Sequence, residues 1–381
     1  MKKAIALLTV FAVLFLSCTK KEESASYRID MVDGTKVVRN FKRDTDSAIR
    51  NVSFLEDLAI GVEEGNEDYM FANPVSIEAD KRGNIYVLDS RDCVIKKFGP
   101  QGNFINQFGG KGQGPGEFER PNNLMISPQD KIFARDTRLN KIEGFSLDGE
   151  YQQTFKIENS YGFFFTDSND LILEKRTYDE EGINYLSIGR FDSKRNEVIS
   201  FFSQRQYWPA RIMDEEFTYE FPYFIRWAFN SEDQVYVSSG IDYEVNVFEP
   251  AGNLLFKFQK DFVPVEVAGE ELAKINEILK GLPSRAEEKE NPFRSPMVYP
   301  AFDSISIDEK DRVWIEHYQP LWSHLANKET LYDVFSDEGI FLFSAQFPGH
   351  YYPKLLFKNG FIYALRRDES GYSQAVRLRL E

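Results

Sequence analysis

Gly83-Asn84-Ile85-Tyr86-Val87-Leu88-Asp89 leads to Ile95-Lys96-Lys97-Phe98, then to Gly102 and Phe108. The same order returns 47 positions on (130 for 83), as Asp130-Lys131-Ile132-Phe133-Ala134-Arg135-Asp136, with Ile142, Phe145, Gly149 and Phe155 in register. Looser copies follow. Asp170-Leu171-Ile172-Leu173 precedes Phe191, and Asp233-Gln234-Val235-Tyr236-Val237 precedes Phe248, Gly252 and Phe258. Asp311-Arg312-Val313-Trp314-Ile315 precedes Phe335 and Gly339, and Asn359-Gly360-Phe361-Ile362-Tyr363-Ala364 precedes Ala375 to Leu380. Each unit reads as short alternating strands broken by Gly, Asp or Asn turns. A unit of about 40–50 residues with about four strands is a propeller blade, because one sheet cannot bury both faces and must stack on its neighbours. Six units predict an all-β, six-bladed β-propeller. The sixth runs out after three strands. Asn51 to Gly61 has strand character and is expected to supply the missing outer strand, closing the ring and covering a free edge.

The run from Pro74 to Phe155 resembles two consecutive NHL-type repeats. Phe108-Gly109-Gly110-Lys111-Gly112-Gln113-Gly114-Pro115-Gly116-Glu117-Phe118-Glu119-Arg120-Pro121 is similar to their usual connector. With Asn66-Glu67-Asp68-Tyr69-Met70-Phe71 and the N-terminal segment described next, the chain resembles the six-bladed propeller lipoproteins of the Bacteroidota. That resemblance covers most of the chain. It implies a TolB-like propeller and no particular reaction.

Residues 1–17 read as a lipoprotein signal peptide. Lys2 and Lys3 precede a 13-residue run, Ala4 to Leu16, that is apolar but for Thr9. A bilayer crossing needs about 20 residues, so this run is too short to span. Leu14-Phe15-Leu16-Ser17-Cys18 resembles a lipobox, with Phe15 where the pattern prefers Leu. Lipidation of Cys18 would anchor the protein to the membrane, since two or more acyl chains hold stably. Residues 18–50 are then a tether and N-terminal extension, and 51–381 the propeller. Lys21-Glu22-Glu23 near Cys18 resembles a surface-export signal of the same lipoproteins. The expected location is the outer membrane of the cell envelope, facing either the periplasm or outward.

Composition excludes more than it assigns. Of 381 residues, 42% are hydrophobic and 15% aromatic, enough for a packed core rich in strands. The net charge of −15 argues against nucleic acid as a partner. Two Cys and three His exclude a disulfide framework and a His-rich metal centre. No cofactor and no metal are expected. There is no Gly-x-Ser-x-Gly, phosphate loop or His-Glu-x-x-His, so no catalytic residue is assigned.

Labelling strands A to D from axis to rim, the A–B and C–D turns of this fold lie on one face, and the B–C and D–A connections on the other. The first kind is tight, as at Asp80 to Gly83 and Ser336 to Gly339. The long segments fall on the second kind. They are Gly61 to Asn73, an aromatic insertion at 203–223, a helical insertion at 261–300 between blades four and five, and Glu316 to Thr330. Glu270 to Gly281 carries Leu272, Ile275, Ile278 and Leu279 at helical spacing. Long loops on a rigid scaffold usually carry function. The expected ligand contacts are therefore Tyr207, Trp208, Arg211, His317, Tyr318 and Trp322, with Arg91 and Arg138 at equivalent B–C positions of blades one and two. Aromatic rings stack on sugars and flat apolar groups, and Arg pairs with carboxylates. Asp89 and Asp136 begin the same loops and are expected to satisfy loop backbone donors at the rim of the upper channel. The function expected is binding of a ligand or envelope protein, a glycan or peptide among them. The competing classes are a metal-assisted lactonase or lyase and a structural subunit of an outer-membrane complex.

Overall fold

The computed structural model describes residues 26–41, 49–50, 52, 54–192, 196–206, 211–213, 218–220, 225–267, 269, 272–273, 298–318, 329–367 and 371–380. Six antiparallel sheets follow one another around an axis. The first holds Pro74–Ala79, Ile85–Asp89, Val94–Phe98 and Phe104–Gly109, as strands A to D. The second holds Pro121–Ile126, Lys131–Asp136, Lys141–Ser146 and Tyr151–Lys156. The third holds Ser160–Phe165, Leu171–Tyr178, Asn184–Phe191 and Glu197–Arg205. The fourth is built on Arg226–Phe229, Val235–Ser238, Glu244–Phe248 and Leu254–Lys260. The fifth is built on Phe302–Ile307, Val313–His317, Glu329–Phe335 and Phe341–Pro348. The sixth combines Tyr352–Lys358, Phe361–Arg367 and Ser373–Leu380 with Phe54–Ile60, which pairs antiparallel to Ser373–Leu380.

The core is a ring of six apolar clusters, one between each pair of neighbouring blades. Tyr86 and Leu88 of blade one meet Leu124 and Ile132 of blade two. Ile77 and Val87 meet Tyr363 and Leu365 of blade six, which completes the circle. Alternation explains this. Each inner strand sends successive side chains to opposite faces, so every sheet presents one apolar face to the blade on either side.

The repeat visible in the sequence is a turn requirement. Each A–B turn has a residue with a left-handed backbone: Gly83 (φ 83°), Asp130 (58°), Asn169 (65°), Asp233 (58°), Asp311 (57°) and Asn359 (56°), the last followed by Gly360 (73°). Gly adopts it without steric cost, and Asn and Asp at a smaller cost than other residues. In blade three the residue is Asn169, one before the Asp170 that the sequence alignment picks out. A side chain at the head of the turn secures it. Asp80 Oδ1 accepts the N–H groups of Arg82 and Asn84, each at 2.9 Å. Asp308 Oδ1 does the same for Lys310 and Arg312, at 2.9 and 3.0 Å.

The N-terminal extension is partly built into the rim. Tyr27–Val32 and Thr35–Asn40 form a hairpin, and Thr35–Asn40 pairs in parallel with Leu254–Lys260, so blade four has six strands. Ile49–Arg50 then pairs in parallel with Ser344 and Ala345 of blade five. With Phe54–Ile60 on blade six, the extension runs along three consecutive rims. Val38 enters the core between blades four and five.

The helix expected over 270–281 falls almost wholly outside the described residues, which include only Leu272 and Ala273 of it. No α-helix is established for the insertion between blades four and five. Among the described residues there is a 3-10 turn at Glu67–Tyr69, capped by the Asn66 side chain on the Asp68 N–H at 3.0 Å. A bonded turn of that kind forms from a few local hydrogen bonds.

Candidate functional site

Strand direction alternates within each blade, so every D–A connection and every B–C loop emerges at the same end of the axis. The connections 61–73, 205–226, 260–302 and 317–329 therefore share one face. The turns at the other end are tight. Gly83 N–H reaches Asp80 O at 3.0 Å, Gly102 N–H reaches Gly99 O at 2.9 Å, and Gly339 N–H reaches Ser336 O at 3.0 Å.

Around the axis, five inner strands lose register with strand B, and all five do so at the end where the D–A connection arrives. The shifts lie between Pro74 and Ser76, Pro121 and Asn123, Ser160 and Phe163, Phe302 and Ser304, and Tyr352 and Leu356. A bulge leaves residues outside the ladder and turns their side chains away from the regular alternation. The displaced residues include Asn122, Tyr161, Asp303 and Lys354, none of them buried. They form a polar ring at the insertion-bearing mouth of the bore.

Lys354 shows that this ring crosses the axis. It belongs to blade six, yet its Nζ lies 5.9 Å from the ring centroid of Trp227 in blade four, which is not a neighbouring blade. The Trp227 indole N–H donates to Glu174 Oε2 of blade three at 2.8 Å. Gly162 makes this approach possible, since a Cβ there would stand 2.7 Å from the Trp227 ring and 3.0 Å from Glu174 Oε2. On the far side, Glu78 of blade one lies 3.9 Å from Lys358 Nζ.

The surrounding walls of the bore shift the protonation of these groups, although each keeps some access to solvent. Burial raises Glu78 from 4.5 to about 7, with Lys358 and Lys354 pulling the other way. Burial also raises Glu174 against its bond from Trp227, and lowers Lys354 against the pull of Glu78 and Glu174. At the junction of blades four and five, Arg226 Nε donates to Asp303 O at 2.5 Å and its Nη2 lies 3.8 Å from Asp303 Oδ1. Burial and the nearby Asp303 charge push Glu316 up, although it accepts the Ser304 hydroxyl at 2.7 Å.

The residues expected from sequence are placed as follows. Arg91 and Arg138 are exposed on the B–C loops of blades one and two, with Arg138 Nε 2.7 Å from Glu119 Oε2. Asp89 and Asp136 do not ring the channel. Both are fully buried and spent on backbone donors, Asp89 on Ala72, Asn73, Arg91 and Asp92, and Asp136 on Glu119, Arg120, Arg138 and Leu139. The reason is radial position: strand B lies behind strand A, so its end faces the connections and not the bore.

His317 begins the long B–C loop of blade five, its Nε2 2.9 Å from Asp333 Oδ2. Asp333 is completely buried and also takes Lys260 Nζ at 2.6 Å, Tyr243 OH at 2.7 Å and Ser344 Oγ at 2.7 Å. Burial works to raise its carboxyl, but His317 and Lys260 outweigh it and hold the group well below the usual range. Tyr318 is half-buried and stacks on Tyr299 at 5.5 Å. Arg211 lies in a small hairpin, Arg211–Met213 with Thr218–Glu220. Tyr207, Trp208, Trp322 and Cys18 lie outside the described residues. Among the described residues no cluster of three His, Cys, Asp or Glu could hold a metal ion. Cys93 is buried.

Sequence reasoning missed Glu78, Glu174, Asp303 and Lys354. The available signal was a charge inside an otherwise apolar inner strand, as in Ser76-Ile77-Glu78-Ala79 and Pro353-Lys354-Leu355-Leu356. Nothing in the sequence said that these charges converge.

A family model described as a six-bladed β-propeller matches residues 30–268. No curated protein matches the chain. Among solved structures, a Bacteroides fragilis protein described as exported superposes with a TM-score of 0.54 at 14% identity, covering 91% of this chain and 99% of its own. A member of the DUF4221 family from Bacteroides vulgatus gives 0.50 at 11%, covering 87% and 100%. Virginiamycin B lyase from Staphylococcus aureus gives 0.46 at 11%, covering 86% and 100%. At these identities the likeness shows the fold alone. Among the described residues no helix is long and apolar enough to cross a membrane.

Proposed function

Because the chain belongs to the six-bladed β-propeller family DUF5128, whose fold leaves function to the site it carries, we propose that it is a lipid-anchored binding protein of the outer membrane. In this reading Cys18 carries the anchor, and the strand Phe54–Ile60 closes the ring. The insertion-bearing face takes up a ligand or an envelope protein at the mouth of the bore. The observation that carries the proposal is the shared emergence of the four long connections at one end, above a mouth lined by bulged, accessible side chains. Tyr207, Trp208, Arg211, Tyr318 and Trp322 lie on those connections, as does His317 at the start of one, and Arg91 and Arg138 stand on two shorter loops of the same face. A glycan or a peptide suits rings and fixed donors of this kind.

The experiment is calorimetric titration of the detergent-solubilised full chain against a panel of soluble oligosaccharides and acidic peptides, then of Trp208→Ala and Trp322→Ala with any binder. Each substitution is expected to cost about 2 kcal/mol of binding with little loss of fold. Unchanged affinity in both variants would place recognition elsewhere.

A further inference from the structure

Lys354 stands at the mouth of the bore without a protein acceptor among the described residues. The buried Lys96, Lys97 and Lys141 have hydrogen-bonding partners, Lys96 for instance the carbonyls of Glu67 and Met70 at 2.7 and 2.8 Å. Lys354 has none among the described residues: no carboxylate within ion-pair distance and no acceptor within hydrogen-bond distance, only the face of Trp227. Its side chain is exposed to the bore, with the Trp227 ring of blade four beside it and Glu78 and Glu174 of blades one and three near enough to act on its charge. An ammonium group that has water but no protein acceptor is open to any anion that enters the bore.

Two residues lie further out along the wall. Arg176 is two positions beyond Glu174 on the same strand, toward the insertion-bearing end, which is about 7 Å. Its guanidinium lies 5.1 Å from the ring centroid of Tyr161, one of the bulged residues. Its Nε is buried and has no acceptor among the described residues. Tyr161 itself is 38% exposed, a large ring open at the mouth. Of the carboxyl groups that would oppose an incoming anion, burial raises Glu78 from 4.5 to about 7 and also pushes Glu174 and Glu316 upward.

The geometry points to a site for a ring compound bearing a carboxylate, seated in the mouth of the bore. The carboxylate accepts from Lys354, and the ring lies against Tyr161 and Trp227, with Arg176 at the outer rim. A charged ammonium and a planar guanidinium select an anion, while the aromatic walls select a flat or pyranose body over a small inorganic ion. This rests on the proposed binding function and names the class of ligand for the same mouth. Two sources share that chemistry, an acidic sugar and an aromatic acid.

The test is titration of the full chain with sodium glucuronate, sodium benzoate, glucose and sodium chloride, read by calorimetry at constant ionic strength. Glucuronate or benzoate is expected to bind, and glucose and chloride at least tenfold more weakly. Binding of glucuronate alone identifies an acidic sugar, and of benzoate alone an aromatic acid. Lys354→Met should reduce affinity for the bound anion tenfold or more, and Lys354→Arg should recover part of it. Circular dichroism melts identify a variant that has failed to fold, and Trp227→Phe, which keeps a ring, then serves as the second variant, with affinity expected to fall severalfold. Failure of both anions to bind overturns the inference, as does full affinity in a folded Lys354→Met. If the Trp208 and Trp322 substitutions abolish binding while Lys354→Met keeps it, the face reading stands and this inference falls. The reverse pattern confines recognition to the bore.

Discussion

Asn40 accepts the backbone N–H of Phe341, 301 positions later in the chain, at 2.8 Å. Its amide also donates to Gln259 O and Gly339 O, each at 2.9 Å. One buried side chain at the end of the N-terminal hairpin thus joins the outer strand of blade four to the last turn of blade five. Asn40→Ala would leave two carbonyls and one N–H short of a partner. Loss of a buried hydrogen-bonding group costs about 1–3 kcal/mol, so a clear fall in the melting temperature of the full chain is expected. A melting curve superimposable on the parent's would show the hairpin to be a passive addition.

In blade six the last strand pairs with Phe54–Ile60, from the other end of the chain. Arg377 holds Asp57 through two parallel bonds of 3.0 Å and reaches Pro100 O of blade one at 2.8 Å. Asp57→Ala removes a bidentate pair at the closing seam and is expected to cost about 1–3 kcal/mol, as measured by urea unfolding. Deleting the chain through Gly61 should go further and broaden or split the transition, because one blade then exposes an edge. A single transition at the parent's midpoint would argue that the ring does not need this strand.

Glu78 carries a pH signature. Its folded value of about 7 exceeds its ordinary 4.5, so the folded state holds a proton that the unfolded state has released. Its contribution is therefore complete below pH 4.5 and is lost as pH rises to about 7, after which it changes no further. One unit is about 1.4 kcal/mol, which puts the loss at about 3–4 kcal/mol. Glu78→Gln, which cannot ionise, should flatten that part of the stability curve relative to the parent. Equal slopes between pH 5 and 7.5 would show that Glu78 titrates normally.

Anchoring gives a simple fractionation. Cys18→Ser should move the protein from the membrane pellet to the soluble fraction at high salt, because acyl chains account for attachment in the proposed reading. Retention of the variant in the pellet would mean that something else holds it there.

The turns explain why so much of the architecture was legible. A left-handed residue accepts only a few side chains, so Gly83, Asp130, Asp233, Asp311 and Asn359 mark the same turn in five blades whatever else diverges. Blade three departs from the pattern: its marker is Asn169 and its turn is headed by Thr166, which accepts the Asp170 N–H at 3.0 Å, where blade one uses an aspartate. The sequence offers His317 as a ligand contact, and only the fold places it beside Asp333, sixteen residues away on the next strand.

By itself, then, the sequence determined the number of blades, the strands within them and the face that carries the long connections. Those features are local: a turn conformation, an alternation of period two and the direction of successive strands. The tertiary structure alone decided that Lys354 meets Trp227 and that Gly162 makes room for Glu174. It alone placed residues 27–40 on blade four. A bulge is a mismatch between two strands, and a contact across the axis joins blades that are not neighbours in the ring. Neither leaves a periodic trace in the chain, because each depends on the distance at which the closed ring holds its far sides apart.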